Sequence, residues 1–175
     1  MKRLIASMMV AGAVFIAPMA ADVALPALGV SMPMATVAEA KSAPDVAVHS
    51  LTTGEETSIA ALHDGRPLFL NFWASWCPPC VGEMPHIQSM YERYGGQMNF
   101  AAVTIDDVES DATDYLSSAG LTLPTYAGDV NDIAMAYGIE AIPLSLIVSP
   151  DGEIIAEHLG GMSAGEMERF IKSAL

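Results

Sequence analysis

Positive charge is scarce in this chain. Seven Lys and Arg stand against 21 Asp and Glu, a formal net charge of −14 over 175 residues. Without basic clusters there is no surface to meet phosphates, so nucleic acid is excluded as a partner. The excess of carboxylates suits solubility; a basic protein partner is the sharper reading. Cysteine is scarcer still. There are two, Cys77 and Cys80, enough for one disulfide. No internal repeat and no second domain boundary appear after Lys41. The length suffices for one domain with a proper core.

Both cysteines fall in FLNFWASWCPPCVGEMP, residues 69–85. A bridge stabilises most when it closes a long loop, so a ring across two residues contributes little by chain entropy. That points to redox chemistry or metal rather than stapling. Val81 follows Cys80, where covalent haem attachment needs a histidine. A metal site would recruit His86 beside Cys77 and Cys80, yet that set is short of four ligands; no metal is expected.

The first forty residues differ from the rest. Met1, Lys2 and Arg3 precede an apolar run from Leu4 to Ala21, and Ala38 and Ala40 form an A-x-A-like cleavage site before Lys41. Residues 1–40 therefore read as a signal peptide or an uncleaved N-terminal membrane anchor, and 41–175 as the exported domain. Export places the thiols where disulfides persist.

Within 41–175, alternation predicts paired strands at 46–51 and 56–59. The apolar run LFLNFWA, 68–74, predicts a strand buried on both faces. Val81, Met84, Ile87, Met90 and Tyr91 recur at helical spacing, so a helix runs from the cysteines to Tyr94, with Pro85 inside it as an expected kink. A second buried strand follows at 98–105, then an acidic-capped helix ending at Gly120. LPTYAGD is a loop or short strand, and VNDIAMAYGI a short helix. A strand over 142–149 turns at Pro150-Asp151-Gly152 into a partner, and a terminal amphipathic helix has Ser163 at its N-cap. The order implies an α/β fold, a mixed sheet with helices on both faces.

Cys77 belongs at the N-terminus of a helix, where unpaired N–H groups and the dipole favour a thiolate. Cys80 lies one turn on. Pro78 and Pro79 occupy the first turn, where a missing N–H costs little. The expected mechanism is attack by an exposed Cys77 on a substrate disulfide and resolution by a more buried Cys80. Glu83, three residues after Cys80, shares its helix face; buried, it would hold a raised pKa and exchange protons with the resolving thiol.

NFWASWCPPCVGEMP and YGIEAIPLSLIVSPDGEI together resemble the TlpA/ResA-like (DsbE/CcmG-related) thiol-disulfide oxidoreductases of the thioredoxin superfamily, from about Pro44 to the C-terminus. The resemblance implies a thioredoxin-like fold with an N-terminal β-hairpin and a central insertion before Pro143. It implies a cis-proline at Pro143 packed on the sulfurs, and substrate contacts at Trp76, Pro78 and Ile142, the last through its backbone. It gives Glu83 a proton-transfer role, since Asn71 stands where plain thioredoxins carry a buried aspartate. No cofactor is implied beyond the redox-active Cys77–Cys80 disulfide.

Ile142-Pro143-Leu144-Ser145 departs from the Pro-Glu-Thr usual in reductases dedicated to cytochrome c maturation. The expectation is a periplasmic protein-disulfide reductase of the bacterial cell envelope, soluble after cleavage or anchored, and monomeric. A membrane thiol donor would supply its electrons, with apocytochrome c or a copper-site protein as candidate substrates. The alternatives are a disulfide-forming oxidant and a copper chaperone using Cys77, Cys80 and His86. Peroxidase is excluded for want of a threonine-containing cysteine motif.

Overall fold

The computed structural model describes residues 41–175; the expected signal peptide or anchor at 1–40 lies outside them. The centre is β4 (Leu68–Trp73), in which all six residues are buried. It pairs in parallel with β5 (Asn99–Thr104) and antiparallel with β7 (Leu144–Val148). β7 pairs antiparallel with β8 (Glu153–Leu159), and β5 in parallel with β6 (Thr125–Ala127). Two short strands, β2 (Ala47–Ser50) and β3 (Glu56–Ser58), form the hairpin beyond β6, and β1 (Lys41–Ser42) pairs with β8. The mixed sheet has the order β1-β8-β7-β4-β5-β6-β2-β3.

Alternate side chains of β4 go to opposite faces, as strand geometry requires. Phe69 and Trp73 join a core with Met84, Ile87, Met167 and Ile171 from α1 (Pro78–Tyr94) and α4 (Ala164–Lys172). Ala112 brings α2 (Glu109–Ala119) to the same face. Leu68, Leu70 and Phe72 pack with Ile133 and Tyr137 of α3 (Val130–Tyr137) on the other. The mixed sheet with helices on both faces is the architecture expected.

Several elements differ from expectation at their ends. The second hairpin strand stops at Ser58 and gives way to a 3-10 turn over Ile59–Leu62. The N-cap of α2 is Val108, without a side-chain cap; its acids, Glu109 and Asp111, lie inside the first turn, where the dipole favours them. Ser163 is the N-cap of α4, and the Glu166 carboxylate reaches back to accept from its N–H at 3.0 Å and from its hydroxyl.

Pro85 does not end α1, which runs without a break from Pro78 to Tyr94. Proline lacks the N–H that would bond the Val81 carbonyl. The Tyr115 hydroxyl of α2 donates to that carbonyl instead, at 3.0 Å. Helix α2 thus supplies a donor in place of the one that the proline removes. Tyr115→Phe should lower stability by about 1 kcal/mol in chemical denaturation, whereas Tyr126→Phe, whose hydroxyl makes no such bond to α1, should not.

Candidate functional site

β4 ends at Trp73, and four residues later the chain enters α1. Cys77 is its N-cap, and the Cys80 N–H donates to Cys77 Sγ at 3.4 Å. Pro78 and Pro79 fill the first two helical positions. The Cys77–Cys80 disulfide is formed, with Cα atoms 5.3 Å apart. Cys77 is less open than expected: it is 4% exposed, against 0% for Cys80. What stands out into solvent is its neighbour Trp76, at 64%. Pro78 is exposed too. Cys77 is covered because Cys77 Sγ sits 3.8 Å from the Ile142 carbonyl, and the Ile142–Pro143 peptide bond is cis. Trp76 and Pro78 flank Cys77 in the chain, and the Ile142 carbonyl faces its sulfur.

Glu83 lies one turn after Cys80 and is buried. Each carboxyl oxygen has a donor: Asn71 Nδ2 to Oε1 at 3.0 Å, and the Met162 N–H to Oε2 at 2.9 Å. Burial pushes its pKa up, and these two bonds partly offset the rise. The other hydrogen of Asn71 Nδ2 goes to Ser145 Oγ at 3.0 Å. His86 is half-buried, and among the described residues no group of three His, Cys, Asp or Glu side chains is placed to hold a metal ion. Clefts of about 300 and 420 Å³ lie elsewhere, against Ser50 and Tyr126 and against Asp45 and Met135. The disulfide itself is nearly covered, and what its surroundings offer to a substrate is the exposed surface of Trp76 and Pro78.

A model of the redoxin family matches residues 38–175. The chain belongs to the redoxin family. This redoxin is 33% identical over 120 residues to the thiol-disulfide oxidoreductase ResA of Halalkalibacterium halodurans, covering 68% of each chain. It is 31% identical over 143 residues to the sporulation thiol-disulfide oxidoreductase A of Bacillus subtilis, covering 79% of this chain and 86% of that one. Among solved structures, StoA from Bacillus subtilis matches with a TM-score of 0.64 at 26% identity, over 74% of this chain and 97% of that one. A Chlorobium tepidum protein assigned as thiol:disulfide interchange protein DsbE matches with a TM-score of 0.70 at 25% identity, over 77% and 96%. The fold is thioredoxin-like, and the redoxin is a thiol-disulfide oxidoreductase.

Sequence reasoning missed three parts of the site. Ser145 reaches Asn71 from β7, and Met162 reaches Glu83 through its backbone. Asp106, just past β5, accepts hydrogen bonds from Ser75, two residues before Cys77. None carries a spacing signal, because each arrives from an element distant in sequence.

The raised Glu83 pKa fixes a sign. Between the ordinary glutamate value and the raised one, the folded chain holds a proton that the unfolded chain has released. Stability therefore falls as pH rises through that window. Glu83→Gln should abolish this slope. Its carboxamide accepts from Met162, and an Asn71 amide flip would present Oδ1, which has no partner here, to the new N–H. Unfolding free energies of the two proteins should separate with rising pH, the wild type losing ground; parallel curves would count against a raised Glu83.

Proposed function

We propose that this redoxin is an exported protein-disulfide reductase acting as a monomer. Reduced Cys77 attacks a substrate disulfide as thiolate, forming a mixed disulfide and expelling one substrate thiolate. Cys80 then attacks the Cys77 sulfur, releases the second substrate thiol and closes the Cys77–Cys80 disulfide. Two electrons pass to the substrate, and a membrane thiol donor restores the dithiol. Glu83 takes the Cys80 proton as that thiol becomes nucleophilic. Trp76, Pro78 and Ile142 receive the substrate chain around Cys77, with apocytochrome c and copper-site proteins as candidate substrates.

The observation that carries the reducing direction is what surrounds the sulfurs. The residues between the cysteines are two prolines, without charge, and a buried carboxylate lies one turn beyond Cys80. An oxidant is strong because its reduced form is stabilised, and neither feature favours a thiolate. Export is supported by the basic start and apolar run of the first forty residues; among the described residues no helix is long and apolar enough to cross a membrane.

Equilibration with glutathione or dithiothreitol, read by tryptophan fluorescence and thiol trapping, should place the couple between roughly −200 and −270 mV. A value near about −120 mV, that of a strong oxidant, would sink the reductase reading. Cys80→Ser should accumulate a mixed disulfide with substrate through Cys77, and Cys77→Ser should not; capture by the latter would reverse the roles.

A further inference from the structure

Asp106 is a buried carboxylate that the exchange steps leave unused. It is 4% exposed and follows β5 by two residues. The Ser75 N–H donates to its Oδ2 at 2.9 Å and the Ser75 hydroxyl to its Oδ1 at 2.8 Å. The Thr104 hydroxyl donates to Oδ2 at 2.6 Å. Among the described residues its charge meets no cation: the ion pairs there join His49, Arg66, Arg93 and Lys172 to other acids. Ser75 sits in the turn that the Cys77 N–H closes on the Ala74 carbonyl at 3.2 Å. That turn carries Trp76 outward and delivers Cys77 to the helix cap.

We propose that Asp106 is a positioning residue of the redox centre, clamping the turn before Cys77 and, by its unneutralised negative charge, biasing the couple toward the disulfide. The proposal rests on Cys77 being the attacking thiol. The clamp is geometric: Ser75 is held on the carboxylate by two donors, its N–H and its hydroxyl, while Thr104 fixes the carboxylate itself. The bias is electrostatic. A fixed anion close to a thiol disfavours its thiolate, and in a site largely closed to water the effect is weakly screened. A less favoured thiolate means a less favoured reduced state. Of the other titratable groups packed here, Glu83 of α1 acts in the same sense when ionised and Tyr115 of α2 is an uncharged phenol. Ser145 of β7 and the 160–162 loop bring none.

Two variants separate charge from clamp. Asp106→Asn keeps the size, and the Ser75 and Thr104 hydroxyls can accept as well as donate, so the clamp survives while the charge goes. Ser75→Ala keeps the charge and removes one clamping bond. Thiolate absorbance against pH, alkylation to assign the thiol, and equilibration with dithiothreitol read the result. Asp106→Asn should raise the Cys77 thiolate fraction at neutral pH roughly threefold, half a pKa unit, and shift the equilibrium toward dithiol, while Ser75→Ala should do neither. No shift in Asp106→Asn, or equal shifts of one sign in both variants, would overturn the proposal. Should Asp106→Asn fail to fold, Thr104→Val strips a donor from Asp106, leaves its charge less compensated and should lower the thiolate fraction; a rise would overturn it. Alkylation that assigns the acidic thiol to Cys80 would instead remove the attacking-thiol reading.

Discussion

The hydrogen bond from Asn71 to Glu83 is where the elements of the site meet. Asn71 is fully buried at the middle of β4, between Leu70 and Phe72. A polar side chain there is tolerated only if it is bonded, because a bare buried amide costs on the order of 1–3 kcal/mol. One of its two N–H groups holds Glu83 on α1, and the other holds Ser145 on β7. Glu83 in turn holds the Met162 N–H, which leads into α4. Central strand, cysteine-bearing helix, the strand after the cis-proline and the last helix are thus joined through one amide and one carboxyl. Loss of either leaves one buried polar atom of the other without its partner, Glu83 Oε1 in one case and an Asn71 N–H in the other, which is why this network constrains the site more than any single apolar contact.

α1 shows how a sequence that works against a helix can still form one. Its first two positions are prolines, tolerated because those N–H groups have no helical acceptor. The Cys77 sulfur accepts the Cys80 N–H that the cap leaves open. Pro85 then removes a bond in the interior, and Tyr115 restores a donor to the Val81 carbonyl. Helix α2 therefore does more than cover the sheet: Tyr115 also packs its ring on Trp73 at 5.6 Å, tying the end of β4 to the first turns of α1.

The strand–cysteines–helix unit was legible because its signals are local: an unbroken apolar run, a C-x-x-C pair and a helical repeat. Pro143 as a cis-proline was legible through resemblance alone, since the local default for such a bond is trans. The near-complete cover of Cys77 was not legible. It depends on the Ile142 carbonyl, 65 residues away, and sequence spacing says nothing of such an approach. Ser145 and Asp106 escaped for the same reason. Each reads locally as an ordinary polar residue at a strand or its end, and only strand pairing brings it to the site: Ser145 lies opposite Asn71 in the β4–β7 ladder, and Asp106 beyond the parallel β4–β5 pair.

The scarcity of lysine and arginine bears on the redox centre through where the few cations lie. Arg66 precedes β4 and bonds the Gly95 carbonyl at the far end of α1. Arg93 and Lys172 meet on Glu168, near the C-terminal ends of α1 and α4. These charges sit at the pole away from Cys77. At the cysteine pole, the helix N-terminus and the Cys80 N–H favour a thiolate, while Glu83 and Asp106, which form no ion pair among the described residues, oppose it. On the proposals above, the direction in which the couple runs is set by that opposition. A single lysine beside the prolines would shift it toward oxidation by stabilising the reduced form, whereas the exposed ion pairs elsewhere, each worth little in water, leave it untouched.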